Sequence, residues 1–197
     1  MTTLDRHPET VARSGERQVV TGAAARKALA LLRIGFGLTF LWAFLDKLLA
    51  LGFSTGAVLN AQGAKTGTDW FGKDAWIHGG NPTLGFLKFG ASGPFKGFYN
   101  AIAGEAWVNV LFMLALLGIG VALTFGITMR LGTIAGFGLY LMMWSVALWP
   151  ATNPVIDDHV LGALSMLVLG LTLAGDTWGA GARWARTRLV RRFPILR

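Results

Sequence analysis

Long runs of apolar residues, separated by shorter polar segments, dominate the chain. Three of these runs cover residues 25–51, 106–129 and 131–149. A helix needs ~20 predominantly apolar residues to cross the hydrocarbon core of a membrane. Each of the three runs reaches about that length, and we therefore expect each to form a membrane-spanning helix.

A fourth apolar run, residues 160–175, is too short to span a membrane by itself. It is preceded by Asn153 and Pro154, which suit the N-cap and the first position of a helix. We therefore expect the fourth helix to cover residues 154–175. The pattern as a whole predicts an all-α membrane protein built as a bundle of four transmembrane helices.

The segments outside these helices differ in composition. Residues 1–24 are polar without apolar periodicity, which predicts a disordered cytoplasmic tail. Residues 180–197 are basic, and we expect them to form a second cytoplasmic tail. The connection 52–105 is too long for a turn and too rich in Trp, Phe and Gly for a solvated linker. We expect parts of it, 82–89 and 95–102, to lie at the membrane surface as short amphipathic pieces.

Composition and charge agree with a membrane protein. The chain is 53% hydrophobic and 14% charged, and its mean hydropathy is +0.52. The net charge of +8 does not indicate nucleic-acid binding, because the basic residues flank the apolar runs. With both termini in the cytoplasm, cytoplasmic segments hold twelve Lys and Arg residues and outer segments hold four. The positive-inside rule thus predicts an N-in, C-in protein of the cell membrane, with 52–105 outside.

Several chemistries are excluded by what the sequence lacks. It contains no cysteine, which excludes disulfides, thiolate zinc sites and iron–sulfur clusters. His159 alone among the histidines lies near a predicted span, so paired haem ligands are absent. No glycine-rich phosphate loop is present. We therefore expect no metal, haem, flavin or iron–sulfur site in this chain.

Charged residues at the outer ends of the first and fourth helices form the main candidate site. Lys47 and Asp46 end the first helix, and Asp157, Asp158 and His159 lie at the start of the fourth. Helical spacing points Asp158 and His159 inward and Asp157 toward the headgroups. One hypothesis is an interhelical salt bridge. The other is a catalytic site in which Lys47 polarises an oxygen while His159 and Asp158 move a proton.

A second set of residues is compatible with quinone binding. Trp42 and Trp144 can stack on a planar ring, although interfacial tryptophans are often only part of the aromatic belt. Arg33 lies within the first span and completes the candidate quinone-binding set. Alternatively, Arg33 reaches the membrane surface along its own stem or pairs with Asp176.

Three segments together resemble the DoxX family. They are LLRIGFGLTFLWAFLDKLL in the first helix, the GITMRLG turn, and NPVIDDHVLGALSMLVLGLTLAGDTWG in the fourth helix. The long loop after the first helix resembles the DoxD-like branch, the large membrane subunit of thiosulfate:quinone oxidoreductase. The resemblance covers residues 28–179, and its motif positions are Arg33, Lys47, Arg130, Asn153, Asp157, Asp158 and His159.

The resemblance implies a four-helix membrane subunit in which thiosulfate, or a related reduced species, gives electrons to a quinone on the outer side. It also implies a second oxidoreductase subunit or a soluble redox partner, and a homo-oligomer is compatible with it. Two other functions remain open from the residues. One is a non-catalytic membrane scaffold for a soluble redox or envelope enzyme, and the other is a small proton-linked transporter.

Overall fold

The computed structural model describes residues 20–151 and 153–197, so nearly all of the predicted tail 1–24 lies outside the described residues. Within the described part the protein is predominantly helical. The helices are α1 (Ala23–Leu49), α2 (Leu84–Phe89), α3 (Lys96–Ile102), α4 (Ala106–Phe125), α5 (Met129–Val146), α6 (Asp158–Leu171), α7 (Gly181–Trp184) and α8 (Arg188–Arg192), and the strands are β1 (Ala57–Leu59) and β2 (Lys65–Thr68).

The first three long helices lie where the apolar runs predicted them, with shifted ends. Helix α4 stops at Phe125 rather than at residue 129, because Gly126 takes a left-handed conformation (φ 70°) and caps the helix through a bond from its N–H to the carbonyl of Ala122. Helix α5 begins at Met129 and ends at Val146, before Pro150 can interrupt its backbone hydrogen bonds. A proline also disfavours the helical conformation of the residue before it, here Trp149, which agrees with this early end.

Helix α6 is the largest departure from the predicted boundaries. It covers Asp158–Leu171 instead of 154–175. The side chain of Asn153 accepts hydrogen bonds from the N–H groups of Val155 and Ile156, at 2.9 and 3.0 Å, and so closes a turn rather than starting a helix. Asp157 is the N-cap, since its carboxylate accepts the N–H groups of His159 and Val160.

The long helices pack in pairs, α1 against α4 and α5 against α6, with α4 joining the pairs through α5. Helices α1 and α4 touch through their backbones: a Cβ on Gly37 would lie 2.5 Å from the backbone nitrogen of Thr124, and one on Gly120 would lie 2.9 Å from that of Leu41. Small residues allow this close approach. The core contains Phe40, Met113, Leu116, Ile119, Leu123, Met129, Met166, Leu169 and Ala174.

The connection between α1 and α4 is folded over one end of the bundle. Helices α2 and α3 lie where the sequence predicts short amphipathic pieces. An antiparallel hairpin of β1 and β2 precedes them, with Ala57 opposite Thr68, so the all-α prediction was wrong in this segment. The hairpin forms because the Asn60 side chain accepts the N–H groups of Gln62 and Ala64 (3.0 and 2.8 Å) and closes the turn.

Two helices of the described chain, α1 and α4, are long and apolar enough to cross a membrane. Helix α6 is apolar but shorter, at 14 residues or about 21 Å. All four long helices expose large apolar side chains on their outer faces. The clearest examples, each at least half exposed, are Leu38, Leu114, Ile134 and Leu164.

Candidate functional site

A cleft of about 1030 Å³ opens at the end of the bundle where α1 ends and α4 begins. Its walls come from α4, α5 and the segment that connects α1 to α4. Most of the wall is apolar, including Phe112, Leu139 and Met142, and its polar groups include Lys47 and Thr83. Concave apolar clefts of this size with a few polar groups are where proteins bind small organic ligands.

Hydrogen bonds from buried side chains fasten α2 and α3 over the cleft. Asn109, a buried residue of α4, accepts the backbone N–H of Thr83 at 3.2 Å and its hydroxyl at 2.7 Å. The hydroxyl of Tyr99 on α3 lies 2.5 Å from the hydroxyl of Ser145 on α5. Because buried polar groups are costly to leave unpaired, these bonds hold the two short helices in one position against the bundle.

Lys47 lies at the cleft wall because Asp46 folds the chain back after α1. Asp46 is 1% exposed and accepts the N–H groups of Phe53 (3.0 Å) and Ser54 (2.8 Å) as well as the Ser54 hydroxyl (2.6 Å). The Lys47 ammonium donates to the same hydroxyl at 2.8 Å and lies 6.0 Å from the centre of the Phe112 ring. The cation is thus held at an apolar wall by the Ser54 hydroxyl and one aromatic face, with the Asp46 carboxylate bound to the same hydroxyl.

His159 forms a pair with Asp157 rather than with Asp158. Its Nδ1 lies 2.7 Å from Oδ2 of Asp157, and both side chains are largely buried. Asp158 is exposed, so the prediction that it points inward was wrong. Asp157 is the less exposed of the two acids because the N-cap carboxylate turns back over the first turn of α6 to accept its N–H groups.

Several influences set the pKa of Asp157. Burial by itself raises it. The hydrogen bond from the His159 ring, the N–H of Val160, the charge of His159 and the N–H of His159 together outweigh burial and hold the pKa below its ordinary value. Asp157 is therefore a stable anion that fixes the orientation of the His159 ring.

The predicted catalytic cluster of Lys47, Asp158 and His159 is not assembled. In the described part of the chain, no hydrogen bond or ion pair joins Lys47 to Asp158 or His159. The cause is the packing order: α1 packs chiefly on α4, and α6 packs chiefly on α5. Tyr140 of α5 stands between them, with its ring edge-on to Phe40 at 5.6 Å and against Gly162 of α6.

The predicted quinone-binding residues Arg33, Trp42 and Trp144 do not line the cleft. Trp42 is 46% exposed and packs edge-on against Phe53, with ring centres 5.1 Å apart. The indole N–H of Trp144 donates to the carbonyl of Val155 at 2.8 Å and so fastens the α5–α6 connection. Arg33 lies toward the opposite end of α1 from Lys47.

Arg33 is completely buried and binds backbone carbonyls. It donates to Leu123 and Thr124 at the end of α4, the latter at 3.1 Å, and to Thr177 (3.3 Å) and Trp178 (3.0 Å). Both alternatives to quinone binding for this residue were wrong. It does not reach the surface, and Asp176 pairs instead with Arg197 at 3.2 Å. The negative end of the α4 dipole is a favourable partner for a cation.

Sequence reasoning missed three residues that organise this end of the molecule. The sequence indicated Asp46 as a charge at the end of the first helix and Asp157 as a group near the headgroups and a motif position, whereas Asn109 was not among the candidate residues. Asp157 had a usable signal, since an acid directly before an apolar helical run is typical of an N-cap. Asp46 and Asn109 had none, because their partners are backbone and hydroxyl groups distant in sequence.

Fold and cleft together define a helical protein with apolar outer faces and a large apolar cleft that has a lysine at its wall. Among residues 20–151 and 153–197, no group of three or more His, Cys, Asp or Glu residues could hold a metal ion. Comparisons with protein-family models, with curated proteins and with solved structures found no match to this chain.

Proposed function

We propose that this protein is a four-helix integral membrane protein with both termini in the cytoplasm. The support comes from the apolar side chains exposed on α1, α4, α5 and α6 and from the two helices long enough to cross a membrane. Patches of exposed apolar surface that encircle a bundle are costly in water and favourable in lipid. In this arrangement the cleft opens at the outer surface.

We further propose that it is a DoxX-like membrane subunit that binds a quinone in the cleft. The observation that carries this proposal is the Lys47 ammonium at the wall of an otherwise largely apolar cleft of about 1030 Å³. A quinone is an apolar ring with carbonyl oxygens and a hydrocarbon tail, and the donor set of the cleft fits it. A single cation meets a carbonyl oxygen, and apolar walls meet the ring and tail.

The side chains of the cleft orient the ring and favour its reduction. The Lys47 ammonium donates a hydrogen bond to a carbonyl oxygen and stabilises negative charge that develops there. Phe112 and Leu139 exclude water from the ring, which strengthens that interaction. A quinone bound there would supply the electron-accepting chemistry: two electrons would come from two thiosulfate ions, which join as tetrathionate, and two protons from water at the outer surface.

The electrons reach the quinone either directly from the sulfur compound or through a partner subunit, since the chain has no cysteine. The pair of Asp157 and His159 has no contact with Lys47, and we therefore assign it no part in quinone binding. A homo-oligomer or a soluble redox partner is compatible with this proposal.

Quinone analysis of the detergent-purified protein tests the proposal. We expect a copurified quinone in the wild type and at least tenfold weaker quinone binding in Lys47→Met, because the ammonium is lost while the stem volume is kept. Lys73→Met is the matched control, since Lys73 is exposed and does not line the cleft. If both variants bound quinone equally well, Lys47 would not be part of the quinone-binding site.

A second pair of variants tests the cleft itself. Ala115→Trp fills the cleft from α4, whereas Leu114→Trp adds a similar side chain on the exposed face of the same helix. We expect the first to abolish quinone binding and the second to leave it unchanged. Thiosulfate-dependent reduction of a soluble quinone then separates an oxidoreductase from a scaffold, which would bind no quinone and show no turnover.

A further inference from the structure

The last residues of the chain are folded against the end of the bundle opposite the cleft. The N–H of Ala180 donates to the carbonyl of Phe125 at 2.8 Å, where α4 ends. The N–H of Arg130 at the start of α5 donates to the carbonyl of Arg197 at 2.8 Å, and the Trp184 indole donates to Leu196 at 2.5 Å. The arginine-rich segment, residues 177–197, therefore has a defined position.

This arginine-rich segment has a large excess of positive charge, although Arg197 pairs with Asp176 just before it. It contains six arginines and neither Asp nor Glu. The arginines that the structure exposes are Arg183, Arg186, Arg188, Arg191 and Arg192. They lie within ten residues of one another, on and beside α7 and α8.

Large apolar side chains are exposed among these arginines. They are 48–56% exposed and comprise Trp178, Leu189, Phe193 and Ile195. Val190 is buried and holds α8 against the protein, whereas the neighbouring apolar side chains stay about half exposed. Exposed arginines interleaved with Trp, Leu and Phe are typical of segments that lie in a membrane interface.

We propose that the arginine-rich segment is a binding surface for anionic phospholipid headgroups of the cytoplasmic leaflet. The charge is complementary to phosphodiester headgroups, and the exposed apolar side chains reach the acyl boundary beside them. A nucleic acid would satisfy the charge but would leave the apolar side chains in water. The proposal uses the membrane orientation proposed above and is independent of quinone binding at the other end.

Binding of phosphatidylglycerol and phosphatidylcholine to the detergent-purified full chain, measured by native mass spectrometry, tests this proposal. We expect the wild type to prefer phosphatidylglycerol, and Arg188→Gln/Arg191→Gln/Arg192→Gln to lose at least about tenfold of that preference, since three cations are removed beside the anionic surface. The preference should also fall as salt is raised.

The matched control is Lys73→Gln/Lys88→Gln/Lys96→Gln, which removes the same charge from exposed lysines of the α1–α4 connection. We expect it to keep the wild-type preference. An equal loss in both triple variants would show that only net charge matters, and an unchanged preference in the arginine variant would also overturn the proposal. Because the cleft is untouched in the arginine variant, its quinone binding reports separately on the proposed function.

Discussion

Arg33 and Lys47 are two cations on one helix, about 21 Å apart along its axis, and their surroundings give them different roles. The Arg33 guanidinium is fully buried, and its two terminal nitrogens donate to backbone carbonyls of two other segments. The Lys47 ammonium has one hydroxyl partner and faces a cleft. A buried cation that binds carbonyls of two segments holds a fold together, whereas one that borders a cleft can bind a ligand.

Replacement of Arg33 should therefore affect stability rather than ligand affinity. In Arg33→Met, buried carbonyls at the end of α4 and at Thr177 and Trp178 lose their donor, which costs about 3 kcal/mol of the free energy of unfolding. Arg33→Lys should recover only part of the loss, because an ammonium cannot reach carbonyls on both segments as a planar guanidinium does. Thermal unfolding in detergent measures both effects.

The control for this prediction is Arg186→Met, which removes an exposed arginine. Its unfolding temperature should stay close to that of the wild type. If Arg33→Met unfolds no earlier than Arg186→Met, the carbonyl bonds of Arg33 contribute nothing to stability.

The N-cap carboxylate of α6 predicts a pH dependence with a defined sign. The pKa of Asp157 is lower in the folded protein than in the unfolded chain, so its stabilising contribution is complete above the unfolded pKa of about 4 and is lost as the pH falls through the folded pKa. We expect Asp157→Ala to cost about 1 kcal/mol near neutral pH. The deficit should shrink below about pH 4.

Unfolding temperatures of Asp157→Ala and Asp158→Ala, followed from neutral to acid pH, check this expectation. Asp158 is exposed and accepts no capping bond, so its replacement should have the smaller effect. A deficit for Asp157→Ala that is constant across the pH range would contradict the role of the ionised cap.

At the scale of the helices, the α1–α4 contact depends on the absence of a side chain at one position. A Cβ on Gly37 would collide with the backbone of Thr124, whereas one on Gly35, two residues away, would meet nothing within 4 Å. A backbone neighbour cannot move aside as a flexible side chain can. The same substitution on one helix therefore has opposite consequences at two positions.

We expect Gly37→Ala to lower the unfolding temperature, because α1 and α4 must separate to make room. Gly35→Ala should leave it unchanged or raise it slightly, since alanine favours helix by up to ~1 kcal/mol relative to glycine. Thermal unfolding of the two variants, measured side by side, tests this prediction. Two variants of equal stability would mean that α1 and α4 do not touch as described.

At the scale of the whole molecule, the two ends of the bundle differ in chemistry. One end has the cleft, α2, α3 and the hairpin, together with exposed lysines such as Lys73. The other end has the carbonyl contacts of Arg33 and the arginine-rich segment. Exposed apolar faces of the long helices lie between them. The proposed orientation in the membrane requires this difference between the two ends of the bundle.

Because the chain has no cysteine, single cysteines can report on this orientation without background. We expect Lys73→Cys to react with a membrane-impermeant maleimide in intact cells, and Arg186→Cys to react only after the membrane is opened. Both positions are exposed, so burial in the protein does not limit the reaction. Labelling of both positions from the same side would contradict the proposed N-in, C-in topology.

The sequence by itself determined the long helices and the short helices of the α1–α4 connection. Hydrophobic runs and their lengths are local properties, so α1, α4 and α5 could be predicted to within a few residues. The residues 82–89 and 95–102 could be identified for the same reason. Helix α6 could be placed only roughly, because Asn153 and Asp157 are equally plausible caps until one is seen to accept the helical N–H groups.

Only the tertiary structure decided which charged groups meet. Lys47 and His159 belong to helices whose main packing partners differ, and no local pattern specifies that α1 lies on α4 and α6 on α5. The partners of Arg33 are backbone carbonyls, which every residue has and which therefore leave no signal in the sequence. The cleft likewise exists only because Asn109 and Tyr99 bind groups distant in sequence and hold α2 and α3 over the bundle.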